Sequence, residues 1–380
     1  MLIPRTILHQ IKEQLTKKPK IILLYGPRQS GKTTILKQLL ANYPQKAVYL
    51  AGEDLRVQEI WSKPNTQILK KQIGDAKLVV IDEAQKIENI GTSLKLVYDT
   101  FSPYIIASGS ASLELANRLS EPLTGRTVTF VLYPLSVLEN PITPPDISFT
   151  CRLEEFLRFG LYPEVVITES EEDKITYLNE LINNYLYKDI LSFKQVRKPK
   201  KVVDLLTLLA FQIGNEVSIQ ELAANLSLAK IVVEKYLDLL EKMFVIINLR
   251  GFSRNLRKEI SKTSKYFFVD LGLRNALIRN FNPLHLRNDV GALFENFCII
   301  ERIKILSNTK KMANFYFWRT YDQKEIDLIE EKEGKLFAWE FKWQESKKIT
   351  GAAKEFTKVY PKSKFQIITP KKFEEILSFI

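Results

Sequence analysis

Residues 26–33 read Gly-Pro-Arg-Gln-Ser-Gly-Lys-Thr, and no other stretch restricts the fold of the 380-residue chain as strongly. The spacing is G-x-x-x-x-G-K-T, set between the apolar run Ile21 to Leu24 and the helical pattern Ile35 to Leu40. A strand that ends in such a loop, followed by a helix starting at Lys32, brings backbone N–H groups and the positive end of the helix dipole to one point. That arrangement suits the phosphates of a nucleotide. Lys32 would reach the β- and γ-phosphates and the Thr33 hydroxyl would hold Mg²⁺. Gly26, Pro27, Arg28, Gln29, Ser30, Gly31 and Thr34 complete the expected cradle.

Four more strands follow in the pattern: Ala47 to Ala51, Lys77 to Ile81, Tyr104 to Ala107 and Thr127 to Leu132. The second of these runs into Asp82-Glu83-Ala84-Gln85. An acidic pair at the end of an apolar strand is a Walker B element, with Asp82 directed at Mg²⁺ and Glu83 at an attacking water. Two carboxylates are needed because the metal occupies one. Gln85 either touches the γ-phosphate or a partner element, or simply starts a helix. The strand Tyr104 to Ala107 ends in Ser108-Gly109-Ser110-Ala111-Ser112 and is expected between the loop strand and the Asp82 strand. Its tip makes Ser110 a candidate polar sensor, unless these residues only cap the helix Leu113 to Leu119, a role that suits Ser112. Arg126 either contacts phosphate, in cis or from a neighbouring subunit, or is a surface arginine before an edge strand.

The length favours two or three domains, since single cores rarely grow past ~250 residues. Residues 1–20 suggest a short amphipathic helix, with Ile7, Ile11 and Leu15 four apart, packed on the nucleotide domain. No apolar run approaches the roughly 18 residues that span a bilayer, so no membrane partner and a cytoplasmic location are expected. Cys151 and Cys298 stand far apart, and His9 and His285 are the only histidines, too few for an ordinary zinc site without carboxylates. Mg²⁺ or Mn²⁺ is the expected metal. The net charge of +12 either attracts a polyanion or only keeps the surface soluble.

Downstream, Pro141, Pro144 and Pro145 mark a break, which gives a nucleotide domain over 1–140. Helical stretches Leu153 to Phe159 and Tyr177 to Tyr187, then a basic run from Lys194 to Lys201, make a lid and linker over 141–205. Helices Ile219 to Asn225 and Ala229 to Lys242, followed by strands Val245 to Leu249 and Lys265 to Val269, have the order of a winged helix-turn-helix over 206–275. Its loop carries Arg250, Arg254, Arg257, Lys258 and Lys262, and residues 191–265 hold 14 Lys and Arg against 7 Asp and Glu. The module would contact double-stranded DNA, or it would bind a protein partner. Over 276–380, a helix from Asp289 precedes strands Phe315 to Arg319, Glu325 to Ile329 and Leu336 to Trp343. Glu295, Asp327, Glu340 and Lys342 fall on these elements in the manner of a PD-(D/E)xK nuclease, in which carboxylates such as Asp327 and Glu340 bind Mg²⁺ and the lysine steadies developing charge. Such a domain either cleaves or persists as an inactive scaffold.

Several stretches together resemble AAA-type ATPases of archaea and bacteria that carry a C-terminal domain of unknown function. They are Gly-Pro-Arg-Gln-Ser-Gly-Lys-Thr-Thr, Ile-Asp-Glu-Ala-Gln, Ser-Gly-Ser-Ala-Ser, Leu-Thr-Gly-Arg, Gly160 to Glu164 and Lys265 to Leu273. The resemblance covers essentially the whole chain. It implies ATP binding and hydrolysis, and an α/β fold in which an additional-strand P-loop ATPase with a parallel sheet precedes a winged helix-turn-helix and a restriction-endonuclease-like α/β domain. The expected function is an ATPase whose nucleotide state controls the C-terminal module. The alternative is a nucleotide-gated regulatory or scaffold protein that cuts nothing. Assembly into a homo-oligomer is left open.

Overall fold

The computed structural model describes residues 2–109, 123–140, 149–183, 190, 196, 198–253, 264–320, 322–345 and 350–378. Ser110, Ser112 and the expected helix Leu113 to Leu119 lie outside the described residues. So do the Pro141 to Pro145 break and the basic residues Lys194, Arg197, Arg254, Arg257, Lys258 and Lys262.

The N-terminal half is built on strands β1 (Ile21–Tyr25), β2 (Ala47–Ala51), β3 (Leu78–Asp82), β4 (Tyr104–Gly109) and β5 (Thr127–Val131). Among the described residues they form one parallel sheet in the order β2-β3-β4-β1-β5. The inner strands read as unbroken apolar runs because both faces of the sheet are covered. Ile21, Leu23, Val79, Ile81, Ile105 and Ala107 pack on one side, against the helices Leu55–Trp61, Thr66–Ile73 and Ile90–Phe101. Ile22, Leu24, Leu78, Val80 and Ile106 pack on the other, against Thr6–Gln14 and Lys32–Ala41. The expected N-terminal helix thus buries Ile7, Leu8 and Ile11 on the sheet. β4 stands between β1 and β3, the order that opens a crevice at the carboxyl ends of β1 and β3.

The C-terminal half holds β6 (Glu216–Val217), β7 (Ile246–Gly251), β8 (Ser264–Phe268), β9 (Asn314–Arg319), β10 (Glu325–Lys332), β11 (Lys335–Phe341) and β12 (Lys364–Ile368). They form one sheet in the order β12-β11-β10-β9-β7-β8-β6. The join is a short parallel pairing of β7 with β9, Arg250 beside Tyr316 and Gly251 beside Phe317. The sheet therefore runs across the boundary expected at 275/276. The long helix Val290–Asn308 is buried along most of its length, and its Phe294 and Phe297 share a core with Leu249 and Phe267 from before that boundary and Phe317 and Trp339 from after it.

Two of the stretches that carried the resemblance meet here. The Asp270 carboxylate caps the helix Leu271–Leu277 by accepting from Gly272 N (2.9 Å) and Leu273 N (3.3 Å), and its other oxygen accepts from Leu161 N at 2.7 Å. A Cβ on Gly160 would lie 2.0 Å from Asp270 Oδ1, and one on Gly272 would lie 2.0 Å from the Phe159 carbonyl oxygen. Asn275 Nδ2 closes the joint by donating to the carbonyls of Leu157 and Arg158 at 2.8 Å each. These motif residues fasten two helices together.

Candidate functional site

The loop after β1 and the ends of β2 and β3 enclose an open pocket of about 380 Å³ lined by Arg28, Gln29, Gly31, Lys32, Thr33, Thr34, Tyr49, Ala51, Gly52, Glu53, Asp82 and Glu83. Two expected motifs thus converge on one cavity. Gly26 threads the loop beneath the chain leaving β5: a Cβ there would lie 2.2 Å from the Leu132 carbonyl oxygen, whose residue donates its N–H to Tyr25 O at 2.7 Å. Ser30 Oγ donates to Pro27 O at 2.9 Å and pins the loop across itself. Lys32 is buried and donates to the carbonyls of Gly26 (2.9 Å) and Pro27 (2.8 Å).

The link between the motifs is a hydrogen bond. Thr33 Oγ1 donates to Asp82 Oδ2 at 2.6 Å across 49 positions of sequence. Tyr49 OH donates to the same oxygen at 2.9 Å, and Ser108 Oγ donates to Asp82 Oδ1. Glu83 N completes the set by donating to Asp82 Oδ1 and Ser108 Oγ, both at 3.1 Å. Partial burial and the adjacent carboxylate push the Tyr49 hydroxyl pKa far up, so Tyr49 acts as a neutral donor. Glu83 takes a left-handed backbone, φ 50°, and its carboxylate accepts from Gln85 Nε2. A non-glycine residue in that region is a strained position of the kind that gathers at functional sites.

Sequence reasoning overlooked Tyr49, which it read as a strand residue, and Ser108, which it placed in the tip after the strand Tyr104 to Ala107 while choosing Ser110 as the sensor. The Val48-Tyr49-Leu50 alternation was a faint signal, since it places one polar-tipped side chain off the buried face. Arg126 is not at the site in this chain. Ile21 N donates to Arg126 O at 2.9 Å at the start of β1, whereas the loop follows the end of that strand, about 16 Å away at ordinary strand rise. Its guanidinium pairs with Asp99, Nε to Oδ1 at 2.8 Å and Nη2 to Oδ2 at 3.1 Å. The expected contact in cis is corrected accordingly, and one across subunits would first have to break that pair.

The second expected cluster is drawn together, but around an ammonium. Lys265 of β8, 2% exposed, donates to Glu325 Oε1 and lies 3.5 Å from Glu295 Oε1. Asp327 Oδ2 accepts from Phe341 N at 2.7 Å. Glu340 is engaged at both oxygens, by Thr350 Oγ1 at 2.9 Å and by Lys342 Nζ at 2.9 Å. Burial raises the Glu295 and Asp327 carboxyls, and their mutual repulsion adds to it at Glu295. Among the described residues no group of three or more His, Cys, Asp or Glu side chains is placed to hold a metal ion. One oxygen of Asp327 and both of Glu340 thus accept hydrogen bonds, and the Lys265 ammonium stands beside Glu295 and Glu325.

Residues 18–140 match a family model described as AAA domain. Residues 151–284 and 290–376 match two domains of unknown function, DUF8612 and DUF4143. An uncharacterized protein of Mycobacterium tuberculosis is 28% identical over 338 residues, covering 88% of this chain and 72% of that one. Another, from Haemophilus influenzae, is 26% identical over 332 residues, covering 82% and 80%. The solved structure of a Walker-type ATPase from Pyrococcus abyssi superposes with a TM-score of 0.52 at 16% identity, covering 73% of this chain and 99% of that one, a likeness of fold. The parallel sheet, its phosphate loop and the AAA domain match support a P-loop ATPase fold for residues 18–140. Among the described residues no helix is long and apolar enough to cross a membrane.

Proposed function

We propose that the chain binds ATP with Mg²⁺ in the pocket around residues 26–34 and hydrolyses it, and that nucleotide state governs the C-terminal half. The observation that carries this reading is the Thr33 to Asp82 contact at 2.6 Å, which joins the phosphate loop to the acidic strand end. Thr33 and Asp82 present hard oxygen donors side by side, which fits Mg²⁺. Bound there, the ion would neutralise phosphate charge. Lys32 exchanges the Gly26 and Pro27 carbonyls for phosphate oxygens, the backbone N–H groups of the loop hold the chain of phosphates, and Glu83 orients and accepts a proton from the attacking water. Ser110 follows directly on the last residue of β4 and is proposed as the sensor.

Titration with a fluorescent ATP analogue and a phosphate-release assay test this. Lys32→Ala should lose nucleotide binding, and Glu83→Gln should bind ATP while turnover falls by roughly 10²-fold or more. Unchanged turnover in Lys32→Ala would overturn the assignment.

For the C-terminal half we infer a binding role without cleavage. The order helix, short strand, two helices and hairpin from Pro199 to Phe268 supports a winged helix, and the helix, three antiparallel strands, helix and parallel strand from Val290 to Ile368 support a nuclease-like fold. The ammonium of Lys265 among the carboxylates favours an inactive scaffold. The helix Lys230–Lys242, which would enter a groove, exposes Glu234 and Asp238 beside Lys235, together with an Ile231 that is 58% exposed. Carboxylates there repel phosphate, which favours a protein partner over duplex DNA. Steeply salt-dependent DNA affinity, or Mg²⁺-dependent cleavage lost in Glu340→Ala, would reverse this preference.

A further inference from the structure

We propose that Arg5 is a positioning residue of the phosphate loop, and that Glu139 holds it there jointly with the long helix of the C-terminal half. The inference rests on the ATP-binding reading above. Arg5 lies just before the first helix and is 8% exposed, far from the motifs in sequence. Its guanidinium spreads over three acceptors: Nη1 donates to Ser30 O at 2.7 Å, Nη2 to Tyr133 O at 2.7 Å and Nε to Glu139 Oε2 at 3.2 Å. Only the planar fork of an arginine reaches three such directions at once.

The Ser30 bond matters because of peptide geometry. In a planar trans peptide the carbonyl and the next N–H point opposite ways. Drawing Ser30 C=O onto Arg5 therefore turns the N–H of Gly31, a pocket-lining residue, away from Arg5 and fixes a donor that a phosphate needs. Glycine at 31 leaves that peptide free to flip unless something holds it.

Glu139 is the holder. It is 5% exposed; Oε2 accepts from Arg5 Nε and Ser136 N (3.2 Å), and Oε1 accepts from Thr6 N (2.8 Å) and Asn308 Nδ2 (3.4 Å). Asn308 ends the helix Val290–Asn308, and that helix grips the same segment twice more. Glu301 Oε2 accepts from Val137 N at 2.8 Å and Lys304 Nζ donates to Leu135 O at 2.9 Å. The loop's geometry is thus braced by a side chain whose own anchor belongs partly to the C-terminal half.

The test is ATP-analogue affinity and steady-state turnover in the full chain. Arg5→Met should raise Kd about tenfold, the size of one charge-assisted hydrogen bond, with KM rising in step and by more than kcat falls. Glu139→Gln should raise Kd by less, and adding it to Arg5→Met should change Kd no further. If Arg5→Met fails to melt cooperatively, Arg5→Lys replaces it, since it keeps the cation beside Glu139 and loses the fork; the same rise is expected. Kd unchanged in a folded Arg5 variant, or fully additive effects, overturns the proposal. Absence of any binding by the unaltered protein removes the ATP reading itself, whereas binding lost in Lys32→Ala and retained by the Arg5 variants removes this inference alone.

Discussion

Asp82 takes donors from four residues, and three of them come from outside its own motif: Thr33, Tyr49 and Ser108. Gly160 shows the same economy in a place with no chemistry. Its φ of +74° disfavours any side chain, and a Cβ would strike the Asp270 carboxylate. Gly160→Ala should destabilise the chain by about 2–4 kcal/mol through strain and a broken cap, read as a lowered urea midpoint at unchanged slope. A midpoint within error of the parent protein would mean that the joint relaxes freely. Residues of this scale divide sharply in legibility. Gly26 to Thr33 could be read because phosphate binding demands fixed types at fixed spacing. Arg5 could not, since its partner Glu139 is 134 positions away and a lone arginine before a helix carries no pattern.

At the scale of elements, the start of the long helix is held by Asp289, which pairs with Arg287 (2.8 Å) and Arg274 (2.6 Å). Burial alone would raise the Asp289 carboxyl, but hydrogen bonds from Arg287 and Arg274 outweigh it and bring it down to about 2. An unfolded aspartate titrates near 3.9, so this pairing stabilises the fold fully above about pH 5, and the contribution fades as pH falls from about 4 through 2. Urea midpoints followed from pH 6 to pH 2 should fall more steeply for the parent protein than for Asp289→Asn; parallel curves would contradict the linkage. The inner strands of the first sheet were legible almost to the residue, because burial on both faces writes an unbroken apolar run. The pairing of β7 with β9 was not, because it consists of two residue pairs whose sequence shows nothing of a neighbour so far along the chain.

Across the whole molecule, the regions matched as 151–284 and 290–376 share a sheet and a core. A fragment of residues 290–378 would strip β9 of β7 and leave Phe294 and Phe297 without Leu249 and Phe267. It should give no cooperative thermal transition by circular dichroism, and a sharp reversible melt would refute the shared core. The domain order was legible from the sequence, whereas this fusion depends on contacts that no local pattern records. One consequence concerns synthesis. Arg250 must await Tyr316, about 66 residues later, before its strand gains a neighbour on that side. At roughly 5–20 residues per second the ribosome leaves that edge bare for about 3–13 s. During those seconds the half-built sheet is open to any other extended chain, so the nascent protein should depend on chaperones more than its finished form suggests.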